Sequence, residues 1–127
     1  MTLVFVYGSL KRGFSNHSIL AGAEYKGEAY TRNKYAMAHL EGFPGVIKEA
    51  SDVKCFGRIL GELYEVDDYV SKRLDQLESN GSFYNREQVF VEYMNNFRRD
   101  IAWMYFLIHI SRPQFIMPVN GFINWRE

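Results

Sequence analysis

Two almost unbroken apolar runs, Leu3–Tyr7 and Ile101–Ile108, constrain this chain more than any other feature. Runs this short, rich in β-branched and aromatic side chains and lacking clean alternation, suit strands covered on both faces. The first is expected to be a central strand, ended by Gly8, and the second the interior strand of a hairpin. A chain of 127 residues has room for about one core of ordinary size, so a single domain over residues 1–127 is expected, with a tail from about residue 111.

Composition narrows the function classes. Fifteen Lys and Arg balance fifteen Asp and Glu, so no net field steers the chain toward nucleic acid or an anionic membrane. A lone cysteine, Cys55, excludes an intramolecular disulfide framework and leaves too few thiolates for a structural zinc or iron–sulfur site. A reducing, cytoplasmic location is expected. The first apolar run has no early positive charge and stops too soon for a signal peptide or a spanning helix. Aromatic residues reach 17%, and flat, large side chains pack well on pleated surfaces, so strand should exceed helix.

Between the two runs the order of elements is readable. Asn16 is placed to cap a short helix through Ser18–Ala21, and strands are expected over Glu24–Thr31 and Lys34–Leu40. Gly42-Phe43-Pro44-Gly45 is a turn signal before Val46 and Ile47, and Gly57–Val66 alternates loosely as a strand. Asp67 and Asp68 offer cap oxygens to a helix from about Tyr69 to Glu78, ended by Asn80-Gly81. Val89–Tyr93 alternates, and Asn95-Asn96 can turn the chain into the second apolar run. Beyond Ser111, prolines and Gly121 break regular structure, and Phe115, Ile116, Phe122 and Trp125 must hold the tail. The class is α+β: one small mixed sheet curled toward a barrel, with short flanking helices.

Two places have the residue types that chemistry needs. The loop Tyr7-Gly8-Ser9-Leu10 leaves the end of a buried strand, with glycine where a backbone can approach a ligand and amides that suit an anion. Gly8 and Gly13 have P-loop spacing, but Phe14 and Ser15 follow where Lys and Ser/Thr are required, which rejects nucleotide hydrolysis. The second place is Glu78. With Val70 at zero and about 100° per residue, Leu74 falls at about 40°, Leu77 at about −20° and Glu78 at about 80°, on the margin of the apolar stripe. Asp75 and Lys72, at about 140° and about 200°, fall on the solvent side. Partial burial and the helix dipole both raise the pKa of such a glutamate toward general-base range. Pattern alone leaves two plain readings open, a strand-to-helix turn for the glycines and a solvated stripe-edge Glu78. His17, His39 and His109 lack metal-ligand spacing, and no nucleophile triad is legible. Cys55, despite Lys54 beside it, reads as a small buried hydrophobe. Arg86 is placed either to pair with an acid near the helix end or to lie exposed at a strand start. Tyr105 suits the core with its hydroxyl satisfied.

Taken together and in order, Val4-Phe5-Val6-Tyr7-Gly8-Ser9-Leu10-Lys11-Arg12-Gly13, Asn16-His17, Leu20, Gly61-Glu62-Leu63-Tyr64-Glu65-Val66-Asp67-Asp68, Leu74-Asp75-Gln76-Leu77-Glu78-Ser79 and Tyr84-Asn85-Arg86 resemble the gamma-glutamylcyclotransferase-like family, its gamma-glutamylamine branch most. The resemblance spans about residues 3 to 108. It implies a small α+β barrel in which Tyr7, Gly8, Ser9 and Leu10 bind the glutamyl moiety and Glu78 is the catalytic proton acceptor. By the same resemblance Tyr105 lines the pocket. The implied reaction closes a γ-glutamyl group onto its own γ-carbonyl, giving 5-oxoproline and a free amine, with no metal or organic cofactor. The small-molecule γ-glutamyl substrate is the implied partner, with neither nucleic acid nor membrane. Ser9 stands where the family often has Thr and keeps the hydroxyl. Residues 40–57 resemble the family least, and such loops select the leaving group.

Two other readings start from the same residues. One is a catalytically inactive module of the same fold that recognises a glutamyl-bearing ligand or a protein partner. Another, a single-strand nucleic-acid reader, has only the aromatic content for it and zero net charge against it. The sequence carries no signal for an oligomeric state.

Overall fold

Strand β1 (Thr2–Val6) runs antiparallel to β4 (Phe56–Val66) on one side and parallel to β6 (Arg99–Leu107) on the other, which makes it central, as its apolar run requires. These come from a computed structural model, which describes all residues except 51, 79, 80, 82, 109, 111, 112 and 127. Around β1 the ladder continues from β6 to β5 (Tyr84–Tyr93), from β5 to β2 (Glu24–Leu40) and from β2 back to β4. Those five strands close a small barrel, which leaves no open edge along them. The short strand β3 (Phe43–Ile47) lies against β2 and touches β6 in parallel through Val46 and Phe106. The fold is α+β, a mixed β-barrel with, among the described residues, one α-helix and isolated 3-10 turns.

The reason β1 is apolar throughout is that it borders two cores. Phe5 points into the barrel with Met37, Ile59, Leu63, Val91 and Met104. Val4 and Val6 point outward beneath helix α1 (Asp68–Leu77), packed with Val66, Val70, Leu74, Tyr84, Tyr105 and Leu107. Asp67 caps α1 by accepting the Val70 N–H at 2.9 Å, which satisfies one of the free amides at a helix start. Ile101 and Ile108, at the two ends of the second apolar run, are about half exposed, so only its middle is covered on both faces.

Several expected elements are corrected. The two strands expected over residues 24–31 and 34–40 are one 17-residue strand, because Thr31 bridges the interruption. Its register to β4 shifts between Tyr30 and Lys34; there the Thr31 hydroxyl donates to the Asn33 carbonyl at 2.8 Å and accepts the Ile59 N–H at 2.9 Å. A buried side chain thus replaces the missing ladder partner. Phe43, Pro44 and Gly45 are not a turn but the first residues of β3, where proline is tolerated at a strand start. The helix expected after Asn16 is a single 3-10 turn, His17–Leu20, and Asn16 does not cap it. The Asn16 amide instead donates to Ser9 Oγ at 2.8 Å. The Asn80 of the expected helix stop lies outside the described residues, as does His109.

The tail, expected to be irregular, contributes strands β7 (Gln114–Phe115) against β2 and β8 (Phe122–Ile123) against β4. Ile123 and Trp125 are buried in the barrel core. Lys11, itself buried, anchors this segment by donating to Asn124 Oδ1 at 2.9 Å and to the Trp125 carbonyl at 2.8 Å. Lys11→Met keeps the stem and deletes both hydrogen bonds, and hydrogen bonds from a charged donor contribute about 1.5–3 kcal/mol each. We expect amide exchange over residues 113–126 to accelerate about tenfold or more in that variant; unchanged exchange there would show that the anchor contributes nothing. No described helix is long and apolar enough to cross a membrane.

Candidate functional site

Where β1 ends, the chain cannot continue along the barrel and folds back as a loop stitched to itself. The Lys11 N–H donates to the Gly8 carbonyl at 3.1 Å and the Asn16 N–H to the Ser9 carbonyl at 2.8 Å. His17 donates from Nδ1 to the Leu10 carbonyl at 2.9 Å, so this histidine braces the loop, and His39 packs on Trp125. Gly8 is required for close approach: a Cβ there would come within 2.8 Å of Pro44 Cγ. The N–H groups of Ser9 and Leu10 donate to no described group, which leaves two amide donors at the loop tip.

Helix α1 delivers Glu78 to the same place. Its N–H closes the last turn on the Leu74 carbonyl at 3.0 Å, and the residue is the cap itself, just past the helix. A cavity of about 320 Å³ lies between helix end and loop, and Glu78, Tyr7, Gly8, Ser9, Leu10 and Tyr105 all line it. The six residues singled out from sequence therefore line one cavity. Burial pushes the Glu78 carboxyl up to about 7, because removal of water disfavours the charged form. No described residue offers that carboxylate a hydrogen bond or an ion pair.

Other placements differ from expectation. Tyr7 contributes a wall more than a polar group. Its hydroxyl donates to the Tyr105 carbonyl at 2.8 Å and accepts the Val46 N–H at 3.3 Å. Leu77, at the centre of the expected apolar stripe, is 39% exposed and lines the cavity rim. Asp75, assigned to solvent by the wheel, accepts from Tyr105 Oη at 2.5 Å and pairs with Arg86 at 3.6 Å. The wheel counts only the stripe over β1 and β4; the last turn of α1 also overhangs β5 and β6, where Arg86 and Tyr105 are cross-strand partners. Burial raises the Cys55 thiol, opposite to any activation by Lys54.

Phe43, Pro44, Phe83 and Tyr84 also line the cavity; the sequence assigned none of them individually to the site, although Tyr84 belongs to the Tyr84-Asn85-Arg86 motif and Phe43 and Pro44 to the segment expected to select the leaving group. Tyr84 Oη donates to the Pro44 carbonyl at 2.8 Å, pinning β3 over the site. The signal present was Phe43-Pro44 in a segment read as a turn; which face it covers depends on β3 docking to β6, a long-range event. Among the described residues lining the cavity there is no Lys, Arg, His or Cys, and Glu78 is the one carboxylate.

Comparison with known proteins agrees with this architecture. A family model described as "Gamma-glutamyl cyclotransferase, AIG2-like" matches residues 4–120. A Methanocaldococcus jannaschii protein provisionally named a gamma-glutamylcyclotransferase is 36% identical over 107 residues, 84% of each chain. The Homo sapiens protein named gamma-glutamylaminecyclotransferase is 33% identical over 103 residues, covering 76% of this chain and 65% of that one. The crystal structure of an AIG2-like protein from Mus musculus superposes with a TM-score of 0.77 at 25% identity, covering 88% of this chain and 80% of that one. This chain belongs to the gamma-glutamyl cyclotransferase, AIG2-like family.

Proposed function

We propose that the protein is a cofactor-independent cyclotransferase that converts a γ-glutamyl-amine or γ-glutamyl amino acid into 5-oxoproline and a free amine. The observation that carries this reading is the one carboxyl group among the described lining residues, raised to about 7 by burial, facing a loop with two amides that donate to no described group. In the proposed reaction those amides and the Ser9 hydroxyl hold the α-carboxylate of the glutamyl group. The α-ammonium passes a proton to Glu78 and the freed amine attacks the γ-carbonyl, forming the C–N bond of a five-membered ring. The tetrahedral centre collapses with cleavage of the original amide bond: Glu78 returns its proton to the departing nitrogen and relays to it the second proton of the ring nitrogen, which leaves a neutral lactam, a departing ammonium and the carboxylate restored. Much of the acceleration comes from holding a flexible chain in its ring-closing geometry.

The leaving group faces Phe43, Pro44, Leu77 and Phe83, an apolar rim, and with no cation among the described lining residues to meet a carboxylate beside the scissile bond, a nitrogen at the end of an alkyl chain, such as the ε-amine of lysine, is favoured over an α-amine as leaving group. The test is 5-oxoproline release from γ-glutamyl-ε-lysine, γ-glutamyl-alanine and glutathione. We expect the first to react best and kcat/KM to fall as pH drops through about 7, since protonation removes the base in the free enzyme. Ligand-induced stabilisation without product from any of the three would instead favour the inactive binding module.

A further inference from the structure

Hydroxyl protons in this cavity are fixed by what each oxygen touches. A carbonyl or a carboxylate only accepts, so a hydroxyl bonded to one must donate to it and keep only lone pairs for other partners. Tyr84 donates to the Pro44 carbonyl at 2.8 Å and Tyr105 donates to Asp75 at 2.5 Å. Both line the cavity with Glu78. The loop side has the opposite polarity. Ser9 Oγ accepts from Asn16 at 2.8 Å, which leaves its proton available, and the Ser9 and Leu10 amides are donors without described acceptors. With Glu78 ionised, that wall therefore only accepts and the loop donates, an arrangement complementary to a zwitterionic amino-acid head.

We propose that Tyr84, Tyr105 and Glu78 form an acceptor set for the three N–H bonds of the substrate α-ammonium, and that Asp75 is the positioning residue that keeps the Tyr105 oxygen an acceptor. This rests on the cyclotransferase reading and adds to it the atoms that recognise the amine. Burial also raises both phenols, so neither ionises near neutral pH and each remains a fixed dipole. Arg86 sets the polarity of the position. Its guanidinium, a donor with no acceptor atoms, takes one Asp75 oxygen at 3.6 Å while Tyr105 takes the other. An asparagine there must offer its carbonyl to the guanidinium and its NH₂ to Tyr105, which reverses the hydroxyl and aims its proton into the cavity.

The test compares wild type, Asp75→Asn, Tyr105→Phe and the double variant, with inhibition by L-glutamate and by glutarate, which differ only in the α-ammonium. We expect Asp75→Asn to weaken L-glutamate about tenfold or more, one charge-assisted hydrogen bond, and glutarate less than about twofold. In the Tyr105→Phe background Asp75→Asn should have little further effect, because both act through one oxygen. Equal weakening of the two ligands, additive effects, no effect, or wild-type turnover without inhibition by L-glutamate would each overturn the assignment while leaving the cyclotransferase standing. Wild type that neither releases 5-oxoproline nor binds either ligand would take both down.

Discussion

Glu78→Gln is expected to lower 5-oxoproline formation by about 10³-fold, within the range supplied by a positioned general base, while making the folded protein harder to denature at pH 8. Gln preserves the shape of the side chain and cannot accept the ammonium proton. The stability gain follows from the same burial that tunes the base. The folded carboxyl sits at about 7 against about 4.3 when unfolded, so between those values the folded state binds more protons, and stability falls as pH rises through that window. Below about 4.3 the group is protonated in both states and has no such effect. The full shift corresponds to more than 3 kcal/mol, and with the residue partly open to solvent we expect about 2 kcal/mol at pH 8. Urea denaturation of both proteins at pH 4.5 and pH 8 measures it: the advantage of the variant should be small at the lower pH and large at the higher. A variant that still turns over substrate would remove Glu78 from the mechanism, and one without a pH-dependent gain would show that the carboxyl is solvated.

Gly61→Ala is expected to be the most damaging methyl that can be added to the barrel. Gly61 lies on β4 where that strand passes beneath the end of β1, and an added Cβ would sit 2.4 Å from the Val6 carbonyl oxygen and 2.6 Å from Phe5 Cζ. A flexible side chain could swing aside, but a backbone oxygen in the central ladder cannot, so β1 itself must shift. We expect a loss of about 3 kcal/mol, at the upper end of overpacking effects. Because Val6 leads directly into the Tyr7–Leu10 loop, the surviving folded fraction should also have a raised KM. A urea midpoint within experimental error of wild type would show that the two strands are less closely apposed than described.

Which parts of this molecule were legible in its sequence has a physical explanation. The central place of β1, the Asp67-capped helix and the α+β class follow from local causes: an unbroken apolar run, a side-chain oxygen three residues before a free amide, and the period of the apolar stripe. Glu78 was legible as a candidate for the same reason, since the stripe margin is a property of the helix alone. The resemblance of the opening loop and the later glutamate to a known family joined two features that periodicity could not join. What failed was contact between distant segments. Asp75 looked solvated because a helical wheel has no knowledge of β5 and β6, and Phe43-Pro44 looked like a turn because its docking to β6 lies some sixty residues further along the chain. The single 17-residue β2 depends on Thr31 meeting Ile59, and the ordered tail on Lys11 reaching Asn124. By itself the sequence determined the central apolar strand, the Asp67-capped helix and which carboxylate borders an apolar face. Only the tertiary structure decided what that carboxylate faces, how much water it loses and which hydroxyl protons point away from it, because burial and hydrogen-bond direction arise when remote segments close around the same space.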